Sequence, residues 1–308
     1  VHNVFIAPHF TGFIDQVSSL VQAPRTLWRN MHGDILQVLH ENPVTAQTLG
    51  VAAPKIVELP AEDGTLLYGA VYHPQTSPPQ TPAPLVLSVY GGPAAQIVLN
   101  SWRLTIDVQA HYLSQHGCYV FKLDNRGSAG RGVAFEQAIS HRMATVELQD
   151  QITGIHWLAQ KEPIDRERIG IYGWSYGGYM TLMALSQFPD IFHVGVAGAP
   201  VADFRWYDSA YTERYMGRPL ENLEGYSHAS VLTHLPHLHG ALLIIHGLID
   251  ENVHFRHSAR VIDQLIKQGT PPTVAVLPSS RHMPRGEEML SYITQRRSDF
   301  LLDSLRAL

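Results

Sequence analysis

The segment Gly-Trp-Ser-Tyr-Gly-Gly at residues 173–178 constrains the fold of this chain more than any other stretch. It follows residues 168–172, an apolar run typical of a buried strand, and precedes residues 179–185, which are typical of a packed helix. A sharp turn between such a strand and helix exposes the hydroxyl of Ser175 at its apex. The glycines two positions before and after the serine let the two elements approach where a Cβ would clash. The pattern therefore predicts a nucleophilic serine.

Two further residues occupy the positions that a serine nucleophile requires. Asp250 follows the apolar run 241–247, and His282 follows the apolar run 273–277. In the α/β-hydrolase fold the triad has the chain order serine, carboxylate, histidine, and each member comes just after a strand. The imidazole takes the proton of the hydroxyl, and the carboxylate fixes its tautomer and stabilises the imidazolium. Order and position together predict a Ser175–Asp250–His282 triad.

Each of these positions is also compatible with a purely structural role. Asp250 would cap the helix predicted near residues 255–268, and Glu251 is an adjacent carboxylate that competes for the role. His282 is one of 18 histidines, and a histidine taken at random is usually structural. Only its place after a strand, in the required order, selects it.

Strands and helices alternate from residue 55 onward, which predicts an α/β fold. The predicted strands are 55–59, 66–72, 85–90, 118–123, 168–173, 193–198, 241–246 and 273–277. The predicted helices lie near 100–115, 143–160, 175–187, 255–268 and 287–305, and residues 74–84 are predicted to be a proline-rich surface loop. This alternation implies the α/β-hydrolase arrangement, a mostly parallel sheet with helices on both faces.

Residues 1–42 differ from the rest because their pattern is all β, with a hairpin predicted around residues 31–34. Residues 43–54 contain two prolines and a glycine among small residues and are predicted to be a linker. The hydrolase domain is predicted to span residues 55–308. Because the chain starts at Val1, already in strand-like sequence, we expect it to be the C-terminal part of a longer protein.

Composition and charge exclude several classes of function. The net charge of −5 offers no basic face for nucleic acid, and no apolar run approaches the ~20 residues that span a bilayer. Cys118 is the only cysteine and is predicted to be buried, so no intrachain disulfide forms. A cytoplasmic location is favoured, with a periplasmic one as the alternative. His234, His237 and His239 lack a nearby acidic partner, so neither a metal nor a cofactor is expected.

Five motifs together resemble the dipeptidyl peptidase IV-like branch of the prolyl oligopeptidase family of serine peptidases, nearest to its dipeptidyl peptidase 8 and 9 subgroup. They are Gly-Trp-Ser-Tyr-Gly-Gly at 173–178, Tyr-Gly-Gly-Pro at 90–93, Asp-Asn-Arg-Gly-Ser at 124–128, and the stretches 207–217 and 246–255. The resemblance covers residues 55–308. Residues 1–42 resemble the last blade of that family's β-propeller.

The resemblance implies roles for the residues at matching positions. Tyr90 would place its hydroxyl in an oxyanion hole beside the backbone N–H of Tyr176. The implied substrate-binding residues are Tyr179, Val201, Tyr207 and Tyr211, which match a proline-sized S1 pocket, and Asn252, which matches the residue that holds a substrate carbonyl. Structural roles stay open for several of them. Tyr90 could be an ordinary core residue, and Asn252 could cap a loop. Tyr207 and Tyr211, four positions apart, could simply form the buried face of a helix.

The resemblance also implies a function, the release of N-terminal dipeptides with a penultimate proline or alanine through an acyl-enzyme. The alternatives are an acylaminoacyl-type peptidase or esterase on the same triad, or a non-catalytic binding or dimerisation module; a homodimer through the hydrolase domain is also compatible. The family binds the substrate amine with paired glutamates on its propeller, but no Glu-Glu occurs before residue 55. Glu287-Glu288 lies in the predicted C-terminal helix and does not match them. A fragment with little activity is therefore a further alternative.

Overall fold

The computed structural model describes residues 1–76 and 81–308, which build two β-sheets and the helices around them. The first sheet is antiparallel, with its strands in the order β1-β2-β3-β4. These strands are β1 His2–Ile6, β2 Phe13–Ser19, β3 Gln22–Arg29 and β4 Ile35–Glu41. A four-stranded antiparallel meander has the form of one β-propeller blade, so the all-β segment predicted for the N-terminal residues is present.

The second sheet has its strands in the order β12-β11-β10-β9-β7-β8-β6-β5. They are β5 Lys55–Pro60, β6 Leu66–Tyr72, β7 Ala83–Ser88, β8 Tyr119–Asp124, β9 Ile164–Trp174, β10 Val194–Gly198, β11 Ala241–Gly247 and β12 Thr273–Leu277. All pairings among β7 to β12 are parallel, whereas β5 and β6 form an antiparallel edge. The sheet is thus mostly parallel, as predicted.

Helices connect and cover these strands. Those in the described part of the chain are α1 Trp102–Thr105, α2 Val108–Gln115, α3 Val133–Glu136, α4 Val146–Ala159, α5 Tyr176–Gln187, α6 Ser209–Met216, α7 Leu223–His228, α8 Val231–His234, α9 Arg256–Lys267 and α10 Glu287–Arg306. The single helix predicted near 100–115 is wrong, because the structure has two helices there. The side chain of Asp107 accepts a 2.9 Å hydrogen bond from the N–H of Ala110 and so caps the start of α2.

Both faces of the large sheet are buried, which follows from the near-continuous apolar sequence of its central strands. In β7, Leu85 and Leu87 pack into the core beneath α4, α5 and α9, while Val86 packs into the core beneath α2 and α10. Helices therefore cover both faces, and the predicted α/β-hydrolase architecture is confirmed.

The carboxyl ends of the parallel strands meet at one edge of the sheet, where ligands bind in open α/β folds. Tyr90, Ser175, Asp250 and His282 follow β7, β9, β11 and β12, respectively. Strand order therefore brings Tyr90 and His282, which are 192 positions apart in the sequence, to the same edge of the sheet.

Residues 43–54 contain neither helix nor strand and have a turn at residues 46–50, and the domain boundaries proposed there stay a prediction. Part of the predicted proline-rich loop, residues 77–80, lies outside the described residues, and Ala83 already begins β7. Cys118 is buried, as predicted. Of the helices within 1–76 and 81–308, none combines the length and apolar character needed to cross a bilayer.

Candidate active site

Ser175 occupies a strained turn between the last residue of β9 and the first residue of α5. Its φ of 60° and ψ of −116° lie where side chains other than glycine are rare. The N–H of Ser175 donates a 2.8 Å hydrogen bond to the carbonyl of Gly198, which fixes the turn against β10. A Cβ on Gly173 or Gly177 would collide with the carbonyl oxygen of Val89. This local geometry is the elbow that the sequence motif predicts.

The three residues of the predicted triad form a continuous hydrogen-bonded chain. Nε2 of His282 lies 3.0 Å from Oγ of Ser175, and its Nδ1 lies 2.7 Å from Oδ2 of Asp250. The Asp250 side chain is fully buried and that of His282 is 10% exposed. Because Nδ1 faces a carboxylate, it carries the proton in the neutral ring, which leaves Nε2 as the acceptor for the serine hydroxyl.

Asp250 is held as a carboxylate by the donors around it. Burial alone would raise the pKa of Asp250, but hydrogen bonds from His246, His282 and the backbone hold it well below its ordinary value. Its Oδ1 accepts bonds of 2.9 and 2.8 Å from the N–H groups of Asn252 and Val253. These bonds tighten the loop that carries Asp250, and the cap position of α9 is held by Phe255 rather than by Asp250.

Glu251, the competing carboxylate, does not contact the imidazole of His282. It is exposed, lies 3.8 Å from the guanidinium of Arg281, and accepts a 3.3 Å bond from the backbone N–H of His282. The geometry therefore joins Asp250, and not Glu251, to the histidine ring.

His246 is a buried partner of Asp250 that the sequence did not reveal. Its Nε2 lies 2.8 Å from the carbonyl of Val253 and 3.2 Å from Oδ2 of Asp250. Both partners are acceptors, so Nε2 must donate, and Nδ1 accepts from the hydroxyl of Ser258 at 2.7 Å. A histidine inside the otherwise apolar strand β11, four positions before Asp250, is the signal that could have revealed it.

Tyr90 and Tyr176, the two residues predicted to form an oxyanion hole, border the same cavity as Ser175. Tyr176 is the first residue of α5, so its N–H has no acceptor within the helix. Tyr90 lines the same cavity, and the centroids of its ring and that of Tyr176 are 6.2 Å apart. Burial, and then the phenols of Tyr207 and Tyr215, raise the pKa of Tyr90, so its hydroxyl stays a donor at neutral pH.

A cavity of about 520 Å³ opens beside Ser175 and His282. Aromatic and aliphatic side chains dominate one side of it, together with one amide: Tyr176, Val201, Phe204, Tyr207, Tyr211 and Asn252. The hydroxyl of Tyr207 donates a 2.9 Å hydrogen bond to Oδ1 of Asn252. The ring of Tyr207 meets that of Tyr211 edge to face at 5.4 Å. The structure therefore gathers four of the five predicted substrate-binding residues on one cavity.

Tyr179, the fifth, lies behind this lining and not on it. Its side chain is fully buried and packs edge to face against Tyr176 at 5.2 Å and Phe204 at 4.9 Å. It supports two aromatic walls but cannot touch a molecule in the cavity. The sequence could not reveal this, because helix periodicity does not tell which tyrosine of α5 faces the open side.

Three further residues line the cavity without having been predicted to do so. Arg103 of α1 and Met283, next to the histidine, border the cavity with Trp174. The indole N–H of Trp174 donates a 2.9 Å bond to the carbonyl of His282 and so connects the serine turn to the histidine loop.

The histidine-rich stretch before β11 has backbone partners. Nε2 of His234 lies 2.8 Å from the carbonyl of His228, and Nδ1 of His239 lies 2.7 Å from that of His237. Within the described ranges, no group of three or more His, Cys, Asp or Glu side chains is arranged to hold a metal ion.

The site thus offers an alcohol nucleophile, a base within hydrogen-bond reach, a buried carboxylate behind the base, and two donors near the nucleophile. These are the groups that acyl transfer requires. An aromatic cavity next to the nucleophile can hold one compact apolar group of an acyl donor.

Comparisons with known proteins show which family this chain resembles in sequence and fold. The profile of the Prolyl oligopeptidase family matches residues 104–307. Dipeptidyl peptidase 8 of Homo sapiens and of Mus musculus is 42% identical to this chain over 239 residues. That alignment covers 76% of this chain and 27% of either relative. Prolyl endopeptidase FAP of Mus musculus is 34% identical over 239 residues, covering 75% of this chain and 31% of the relative.

Solved structures extend the similarity to the whole chain. A Bacteroides ovatus protein described as a dipeptidyl aminopeptidase IV superimposes with a TM-score of 0.93 at 30% identity, covering 99% of this chain and 43% of that one. Porphyromonas gingivalis dipeptidyl peptidase 4 gives 0.91 at 30% identity, with 98% and 43% covered. The chain thus spans less than half the length of these relatives. Because the family profile matches more than half of its residues, this chain belongs to the prolyl oligopeptidase family.

Proposed function

We propose that this chain carries the catalytic machinery of a serine peptidase that releases N-terminal dipeptides with a penultimate proline or alanine. The observation that carries the proposal is the hydrogen-bonded chain from Ser175 through His282 to Asp250, which opens onto an aromatic cavity. Relatives named as dipeptidyl peptidases support the same reaction class.

In the proposed mechanism His282 accepts the proton of Ser175 while Oγ attacks the carbonyl carbon of the second substrate residue. The C=O electron pair moves onto oxygen, where the Tyr90 hydroxyl and the Tyr176 N–H stabilise the negative charge. His282 then gives its proton to the departing amine, the C–N bond breaks, and a dipeptidyl ester remains on Ser175. Water, deprotonated by His282, hydrolyses that ester and restores the hydroxyl.

The cavity supports the choice of proline at the position before the cleaved bond. Flat rings of Tyr207 and Tyr211 suit a pyrrolidine, whose fixed φ lowers the entropy lost on binding. The Oδ1 of Asn252 is occupied by Tyr207, so its two amide N–H groups remain to donate to a substrate carbonyl.

Labelling and substrate comparison on the 308-residue chain test this proposal. A fluorophosphonate should modify Ser175, and a Gly-Pro amide should be cleaved faster than a Gly-Leu amide of the same leaving group. Preference for a simple acyl ester or an acylated amino acid over the Gly-Pro amide would favour the esterase or acylaminoacyl-type alternative. No labelling of folded protein would favour a non-catalytic module.

A further inference from the structure

Glu147, near the start of α4, is a buried carboxylate that the proposed mechanism does not use. Its side chain is fully buried, and its Oε1 accepts a 2.8 Å hydrogen bond from the phenol of Tyr176. Oε1 also accepts a 2.9 Å bond from the N–H of Ala144, and Oε2 accepts a 3.1 Å bond from that of Thr145. None of the described Lys or Arg side chains forms an ion pair with it.

A buried carboxylate without a cation is costly, so its contact with Tyr176, the residue after the nucleophile, requires a physical reason. Capping of α4 accounts for the two backbone bonds but not for the phenol, which comes from a different helix. Burial also raises the pKa of Glu147 to about 7, against the lowering effect of its hydrogen bonds. A capping residue at the protein surface would stay in water, whereas Glu147 is buried at a cost to its charged form.

The phenol connects Glu147 to one wall of the cavity. Tyr176 is one of the residues that line the cavity, and its backbone N–H is the proposed oxyanion donor. The same ring packs edge to face on Tyr179. Fixing the phenol oxygen therefore fixes the rotation of an aromatic wall directly after Ser175.

The backbone bonds connect Glu147, through a loop and α6, to a second aromatic residue of the lining, Tyr211. Ala144 and His141 have φ values of 58° and 62°, so the segment 141–145 needs support to keep its shape. The N–H of His141 donates a 2.7 Å bond to the carbonyl of Tyr215 in α6. Tyr215 stacks edge to face with Tyr211, a cavity-lining residue of the same helix, at 5.0 Å.

We propose that Glu147 is a positioning residue for the specificity pocket, because one carboxylate holds both the Tyr176 wall and the segment that supports the Tyr211 wall. This inference rests on the proposed function, since it names the pocket that selects proline. Without the carboxylate, Tyr176 and the segment behind Tyr211 are no longer held by the same group. The pocket then discriminates less well between proline and smaller side chains.

The matched control is Asp124. It is also buried and accepts hydrogen bonds from two backbone N–H groups, those of Ile97 and Val98, at 2.8 and 3.0 Å. Asp124, Ile97 and Val98 do not line the cavity. Asp124→Asn therefore reproduces the loss of a buried carboxylate without touching the proposed pocket supports.

The test compares Glu147→Gln, Tyr176→Phe, their double variant and Asp124→Asn. We expect Glu147→Gln to lower kcat/KM for a Gly-Pro amide about tenfold, and to lower that for a Gly-Ala amide about twofold. Tyr176→Phe should do the same, and the double variant should lose no more than either single variant. For Glu147→Gln, the fluorophosphonate labelling rate of Ser175 should stay within about threefold of wild type, because the triad is untouched.

Additive losses, or an equal loss on both substrates like that of Asp124→Asn, would overturn the inference. A crystal structure of Glu147→Gln gives an independent answer that needs no turnover. We expect displaced rings of Tyr176 and Tyr211, and unmoved rings would also overturn the inference. If the wild-type chain labels on Ser175 but leaves Gly-Pro amides intact, the proposed function fails, and the ring positions still decide the role of Glu147.

Discussion

The phenol of Tyr207 holds the amide of Asn252 in one orientation through a 2.9 Å hydrogen bond to its Oδ1. The backbone N–H of the same asparagine donates to Asp250 at 2.9 Å. One short loop thus carries both the carboxylate behind the histidine and the amide at the cavity. A change in the orientation of the Asn252 amide should therefore weaken substrate binding more than it disturbs the triad.

Removing this hydroxyl should weaken peptide binding. We expect Tyr207→Phe to raise KM for a Gly-Pro amide about 5- to 10-fold, because Asn252 loses the bond that orients it. Asn252→Ala should cost at least as much, and the double variant should cost no more than Asn252→Ala alone. Steady-state kinetics check this, with Tyr112→Phe, which removes an exposed phenol of α2 outside the cavity lining, as the control. Independent, multiplying effects would argue against a shared role.

Replacing the nucleophile should abolish the chemistry and leave the fold intact. We expect Ser175→Ala to lower kcat by about 10⁴-fold or more and to prevent fluorophosphonate labelling, since alanine leaves the elbow without a hydroxyl. Circular dichroism of the variant should match wild type. Near-normal turnover by a folded Ser175→Ala protein would exclude this serine as the nucleophile.

Removal of the Tyr90 hydroxyl should act on the transition state. We expect Tyr90→Phe to lower kcat about 10²- to 10³-fold with little change in KM, because in the proposed mechanism the phenol stabilises charge that forms only during reaction. Measuring kcat and KM separately on one amide substrate decides the point. An effect confined to KM would mean that Tyr90 contacts the bound substrate in its ground state.

Much of the fold and of the site could be predicted because short local patterns mark the strands, and the candidate catalytic residues come directly after strand ends. Apolar runs identified the parallel strands, and the glycines around Ser175 identified the turn. The triad followed because strand order brings the ends of β9, β11 and β12 together. The catalytic roles themselves stay predictions until they are measured.

Other features depend on contacts between distant elements, which one sequence does not display. The break between α1 and α2 depends on a cap by Asp107, a residue that could equally sit within a helix. Glu147 and His246 meet their partners only after α4, α5 and β11 have packed. Tyr176 and Tyr179 are both tyrosines of α5, but tertiary packing buries Tyr179 completely, and only Tyr176 borders the cavity.

The buried acid should make the stability of the protein depend on pH. The pKa of Glu147 is raised to about 7 in the folded state, from an ordinary value of 4.5. The folded state therefore binds this proton more tightly, and the resulting stabilisation is full below about pH 4.5 and lost as pH rises through about 7. The free energy of unfolding should change by roughly 3 kcal/mol between those limits.

Denaturant unfolding of wild type and Glu147→Gln at pH 5 and pH 8 checks this dependence. Glutamine resembles the protonated acid, so wild type should lose stability relative to the variant on going to pH 8. The neighbouring phenols of Tyr176 and Tyr179 have raised pKa values, chiefly through burial, and remain neutral across this range. A stability difference that is the same at both pH values would contradict the expectation.

The substrate amine should matter little to this chain. Residues 1–54 contain no paired glutamates that could form charge-assisted bonds to an ammonium group. We expect kcat/KM for Gly-Pro and N-acetyl-Gly-Pro amides to agree within about threefold, against the much larger loss that an amine-binding carboxylate pair would produce. A strong preference for the free amine would reveal an amine-binding site elsewhere within these 308 residues.

The positive φ of Ser175 implies that natural selection for stability and selection for activity oppose each other at this position. A residue with a Cβ at φ 60° and ψ −116° costs roughly 1–3 kcal/mol, which glycine would largely avoid. Ser175→Gly should therefore melt at a higher temperature than both wild type and Ser175→Ala, while lacking all nucleophilic chemistry. Wherever the hydroxyl is not needed, glycine would be the more stable residue at this position, so the same turn that presents a nucleophile also lowers the stability of the fold.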